Sequence, residues 1–109
     1  ISACLVGSEM CIRDSEWVAQ HRGEVRVLDV RSPAEYGGEL GHLEGAQLVP
    51  IDELRARASE VPADRPVVVV CQTGRRSGLG AAILKKAGVA HVASIAGGMV
   101  RWRELGLPS

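Results

Sequence analysis

The chain has 109 residues, is 46% hydrophobic, and balances 13 lysines and arginines against 13 aspartates and glutamates. This length suits one domain with enough apolar material for a core, and a net charge near zero lacks the basic field that nucleic-acid or anionic-membrane binding needs. Three cysteines without CxxC spacing (Cys4, Cys11, Cys71) exclude a disulfide framework or tetrahedral zinc site, and the longest apolar run, 67–71, is far short of the roughly 20 residues of a membrane span.

A soluble, cytoplasmic protein without metal is therefore expected. Residues 1–13 are set apart from the domain. They show no helical or strand period and no signal-peptide pattern, and the string CLVGSEMCIRDS resembles a translated sequencing adapter more than the start of a domain. Cys4 and Cys11 fall in this stretch and are read as incidental.

The domain proper is expected over residues 14–109. Asp14 or Ser15 caps a short helix through about Gln20, with Gly23 behind it as a stop. Residues 25–30 are β-rich and predict a strand ending at the tripeptide Asp29-Val30-Arg31. Ser32, Pro33 and Glu35 then form a capping box with proline at the first helical position, so a short helix starts directly after Arg31. Glycines at 37, 38, 41 and 45 make a loop that carries His42. A short strand is predicted over 47–50, and a helix capped by Asp52 runs to about Ser59.

Val67-Val68-Val69-Val70 is uniformly β-branched, the pattern of a central parallel strand buried on both faces, and it ends in Cys71. Ser77 is expected to open a helix in which Leu79, Ala82, Ile83 and Lys86 recur at three- and four-residue spacing, stopped by Gly88. A last strand over 89–95, a turn at Gly97-Gly98 and a helix over 99–105 complete the chain. Strands alternating with helices imply an α/β fold in three layers, a mostly parallel sheet of about five strands covered on both faces.

The segment that carries chemistry is Cys71-Gln72-Thr73-Gly74-Arg75-Arg76-Ser77. It lies between a buried strand and a helix start, beyond the carboxyl end of the sheet where α/β proteins bind ligands. A short turn containing Gly74 can point successive N–H groups inward as an anion nest, and the free N–H groups of the following helix add to it. Two such bonds at about 1.5 kcal/mol each would favour a negative sulfur at the centre. Arg75 and Arg76 would strengthen that field and offer planar donors to an anionic substrate. Asp29 and Arg31 fall on one side of a strand end, where an ion pair bracing the loops is expected.

Four ordered segments, VLDVRSPAEY, GHLEGAQLVP, VVVVCQTGRRS and IAGGMVRW, resemble the rhodanese family at compatible spacing over about three quarters of the chain. The resemblance implies a rhodanese-like fold and a sulfurtransferase in which Cys71 is the sulfur-carrying nucleophile. It makes Gln72, Thr73, Gly74, Arg75 and Arg76 the rest of the substrate loop and Ser77 the start of the helix behind it. The donor would be a small sulfur-containing anion such as thiosulfate, or a persulfide. The acceptor would be a thiol, cyanide or a protein, and no organic cofactor is implied. His42, in the matching Gly-His motif, is implied to fix a loop rather than to catalyse, while Gly97-Gly98 reads as a turn and Trp102 as a core anchor.

Two other readings belong beside this one. Phosphatases and arsenate reductases of related architecture use a loop one residue longer between cysteine and arginine, and the shorter interval here is the form associated with sulfur transfer. A non-catalytic relay or binding module of a larger protein is the other. Family members often carry arginine directly after the cysteine, where this chain has Gln72, and that departure leaves the donor open.

Overall fold

The computed structural model describes residues 11–13, 15–62, 64–89 and 91–107. The expectations for Cys4 and the rest of residues 1–10 lie outside them. Five strands form one parallel sheet in the order β1-β5-β4-β2-β3: β1 (Cys11–Arg13), β2 (Arg26–Asp29), β3 (Gln47–Leu48), β4 (Val67–Val70) and β5 (Val92–Ile95). Five helices join them: α1 (Ser15–Gln20), α2 (Pro33–Tyr36), α3 (Ile51–Arg57), α4 (Arg75–Lys86) and α5 (Gly98–Glu104), with 3-10 turns at Arg22–Glu24 and Ala58–Glu60. The three-layer α/β architecture expected from the alternation is the one observed.

Parity along β4 divides the core in two. Successive side chains of a strand point to opposite faces, so Val67, Val69 and Cys71 pack with Leu54 of α3 and Ala81, Ile83 and Leu84 of α4. Val68 and Val70 face the other way, against Val18 of α1 and Met99 and Trp102 of α5. All four valines are buried, so the central strand is covered on both sides, the environment its β-branched run was read to require. Cys71 is thus committed to the α4 face before any loop geometry is considered.

Local signals set several boundaries. Ser32 accepts from the Glu35 amide while the Glu35 carboxylate accepts from the Ser32 amide, the full capping box. Other expectations need correction. Residues 11–13 pair with 93–95 as an edge strand, although no period marks them; a three-residue strand is too short to show one. Asp52 is not a cap: Pro50 holds that position, and Asp52 lies in the first turn of α3, where its charge still suits the helix dipole. Helix α4 begins at Arg75 rather than Ser77, because Gly74 takes a left-handed conformation that ends the loop two residues sooner. The last strand is confined to Val92–Ile95.

Candidate active site

The site is assembled where β2 and β4 end. The two strands pair in parallel with Asp29 opposite Val70, and the same offset carries past their ends: Arg31 meets Gln72 and Glu35 meets Arg76, each pair 41 residues apart. Parallel register therefore places the DVR segment and α2 beside the Cys71 loop, and two side-chain ties fasten them.

The first tie is buried. Asp29 and Arg31 have no exposed side-chain surface and pair at 2.6 Å. The Arg31 Nε donates to both Asp29 oxygens, Nη2 donates also to the Gly41 carbonyl at 2.7 Å, and Nη1 donates to Gln72 Oε1 at 3.1 Å. A guanidinium withdrawn from water needs its donors matched, and here both terminal nitrogens reach neighbouring loops. The second tie is a bidentate pair: Arg76 Nη1 and Nη2 donate to Glu35 Oε1 and Oε2 at 2.7 Å each. The Arg76 hydrogen bonds hold the Glu35 carboxyl well below the usual carboxylate range, at about 2, and the same contact raises the Arg76 guanidinium further. Glu35 thus has two tasks, helix cap and loop anchor, and only the cap is visible from its spacing to Ser32.

Within the loop, the Gly74 amide donates to Cys71 Sγ at 2.9 Å. That orientation depends on the positive φ of Gly74, 101°. A side chain there would also crowd the Gly97 nitrogen, 3.1 Å from the position of an added Cβ. The Gly74 carbonyl accepts from Ser77 Oγ at 3.0 Å, and Ser77 Oγ lies 2.7 Å from Ser94 Oγ on β5. Ser77 and Ser94 are both buried, so this hydroxyl pair fixes Gly74 from below.

The start of α5 grips the loop from the other side. The Met99 amide donates to the Cys71 carbonyl at 2.8 Å and the Val100 amide to the Gln72 carbonyl at 3.0 Å. Gly98 (φ 57°) makes this approach possible, since an added Cβ would stand 2.3 Å from the Cys71 oxygen. Gly97-Gly98 is therefore more than the turn expected from sequence: it docks a helix start onto the loop. Nothing in the sequence around Ser94 or the α5 amides marks them as part of the site. The double glycine was the one signal that could have pointed to a close backbone approach.

The remaining site residues are placed as follows. Thr73 and Arg75 are exposed. His42 is exposed, stacks on Tyr36 with ring centroids 3.9 Å apart, and reaches the Tyr36 carbonyl through Nδ1 at 3.1 Å. Cys71 itself has no exposed surface. A ligand loop beyond the carboxyl end of the sheet is expected to present its sulfur to solvent; instead the Cys71 side chain packs into the α3–α4 side of the core beneath a loop held down by its two ties. Among the described residues no cluster of three or more histidines, cysteines or carboxylates could hold a metal, and no helix is long and apolar enough to cross a membrane.

Fold and site together define a small α/β domain with a cysteine-bearing loop at the carboxyl end of a parallel sheet. The chain belongs to the rhodanese-like family, whose profile matches residues 14–105. It is 36% identical over 98 residues to a sulfurtransferase of Allochromatium vinosum, covering 87% of this chain and 90% of that protein. It is 32% identical over 80 residues to the thiosulfate sulfurtransferase GlpE of Pseudomonas paraeruginosa, covering 73% and 71%. Among solved structures, a rhodanese-related protein from Thermoplasma volcanium superposes with a TM-score of 0.82 at 27% identity, over 90% of this chain and 95% of that one. The family is thus one with sulfurtransferase relatives.

Proposed function

We propose that this protein is a sulfurtransferase that carries sulfane sulfur as a persulfide on Cys71. The observation that carries the reading is the Gly74 amide aimed at Cys71 Sγ at the carboxyl end of the central strand, in a chain whose relatives include sulfurtransferases. A hydrogen bond from a fixed amide orients the sulfur for attack and offers a donor to the negative charge that a persulfide carries.

The thiolate attacks the outer sulfur of thiosulfate or of a persulfide donor. A bond forms from Cys71 Sγ to that sulfur, the donor's S–S bond breaks, and sulfite or a thiolate leaves with the electron pair. An acceptor thiolate, cyanide or a protein cysteine then attacks the terminal sulfur, and Cys71 departs as thiolate. No metal or organic cofactor enters this cycle. Arg76 is committed to Glu35, so Arg75, which is exposed and makes no ion pair with a described residue, is the loop cation that meets a donor anion, with Gln72, Thr73 and Gly74 forming the rest of the cradle and Ser77 its support. Because Cys71 is covered, donor entry requires the loop side chains to part; the Arg31 to Gln72 bond, made to a neutral acceptor, is the weaker of the two ties. A reducing compartment such as the cytoplasm suits a thiol kept free in this way.

Incubation with thiosulfate, and separately with cysteine persulfide, followed by mass spectrometry should show one sulfur added at Cys71, and Cys71→Ser should abolish both the adduct and turnover. Turnover surviving in Cys71→Ser would overturn the proposal.

A further inference from the structure

Helices α3 and α4 enclose a surface groove of about 590 Å³, lined by Arg55, Ala58, Leu79, Ala82, Ile83 and Lys86, with Ala87 at its end. Its floor is built from small and apolar side chains, and Leu79, 49% exposed, is the more exposed of the two large hydrophobics that reach solvent among the described residues. A cleft of this volume accepts a few apolar side chains. Its charge is one-sided. Arg55 and Lys86 line it, no carboxylate does, and neither makes an ion pair with a described residue. The neighbouring Arg57 of α3 is by contrast neutralised by Glu53 and Glu60. In a chain of zero net charge, this is a local basic rim around an apolar floor.

The groove runs along the helix that follows the sulfur loop. Arg75, Leu79, Ala82 and Lys86 follow one another at helical spacing on one face of α4, and Leu79 stands about 6 Å along the axis from the end of the Cys71 loop. A polypeptide lying along this face reaches the loop from the groove without a bend.

We propose that the α3–α4 groove docks the protein that accepts sulfur from Cys71, through a segment that pairs apolar side chains with carboxylates. The proposal rests on the sulfur-transfer reading and adds the partner's chemistry: leucine-like side chains cover Leu79 and Ala82, and acidic ones face Arg55, Arg75 and Lys86. Complementary charge speeds encounter and rejects like-charged partners. Small thiols bypass the groove.

The test uses the whole chain, thiosulfate as donor and three acceptors: glutathione and two synthetic single-cysteine peptides of equal length, one rich in leucine and glutamate, the other in leucine and lysine. The acidic peptide should show a KM about tenfold below that of the basic one at low salt. Leu79→Ser and Lys86→Glu should each raise its KM about fivefold while leaving kcat and the glutathione rate unchanged. Equal KM values for the two peptides, or variants that slow glutathione and peptide alike, would overturn the proposal. So would a wild-type dimer that Leu79→Ser dissociates in sedimentation, which would make a second copy the occupant. If wild-type protein transfers no sulfur even to glutathione, the sulfur-transfer reading fails instead, and fluorescence anisotropy of the labelled peptides still decides whether the groove selects acidic ones.

Discussion

Replacing Gly98 by alanine tests whether α5 positions the Cys71 loop. The new Cβ would lie 2.3 Å from the Cys71 oxygen and 2.6 Å from the Gln72 oxygen, so loop and helix must separate by about 0.7 Å to reach the 3.0 Å below which real Cβ contacts are not found. That displacement stretches the Met99 and Val100 hydrogen bonds, worth about 1 kcal/mol each. Alanine at the left-handed φ of 57° adds roughly 1 kcal/mol of its own. Stability should fall by about 3 kcal/mol in urea titration. Because a shift of about 1 Å at a reacting group can cost on the order of a hundredfold, kcat/KM for sulfur transfer should fall at least about tenfold. Gly106→Ala is the control: its φ is 66° but nothing lies within 4 Å of an added Cβ, so it should cost roughly 1 kcal/mol and leave turnover intact. Gly98→Ala with wild-type kcat/KM, or the two variants losing activity equally, would refute the argument.

Three further outcomes follow from the ties around the loop. Glu35→Gln should destabilise the protein by about 1–2 kcal/mol near neutral pH, a figure reduced for the partial exposure of the pair. Since folding lowers the Glu35 carboxyl from 4.5 to about 2, its contribution is complete above the unfolded value and is lost as pH falls toward 2. The difference in urea midpoint between wild type and Glu35→Gln should shrink over that window, and a constant difference would contradict it. Asp29→Asn leaves the Arg31 guanidinium buried without a counter-charge and should cost about 3–5 kcal/mol, measured the same way. Gln72→Ala removes the neutral acceptor of Arg31 Nη1 and should increase the alkylation rate of Cys71 by iodoacetamide; an unchanged rate would show that this tie does not control access.

Much of this architecture was legible because its signals are local. The valine run, the Ser32 capping box and the loop between Cys71 and Ser77 each act through residues a few positions apart. What was hidden depends on register. Nothing near Arg76 tells that its partner is Glu35 rather than a substrate anion, and Ser94 looks like an ordinary strand residue until β5 is laid against α4. The burial of Cys71 is hidden for a related reason, since its side chain is covered by Leu54 of α3 and the apolar face of α4, and α3 is packed there only once the sheet has formed. Edge strand β1 was missed because three residues carry no period.

The constant offset between the segments that follow β2 and β4 makes loop length a matter of alignment as well as of pocket size. One residue inserted between Cys71 and Arg76 would push the arginine out of step with Glu35 while Gln72 stayed level with Arg31. Lengthening this loop to hold a larger anion would therefore require a matching change in α2, and the two segments are free to vary only as a coupled pair.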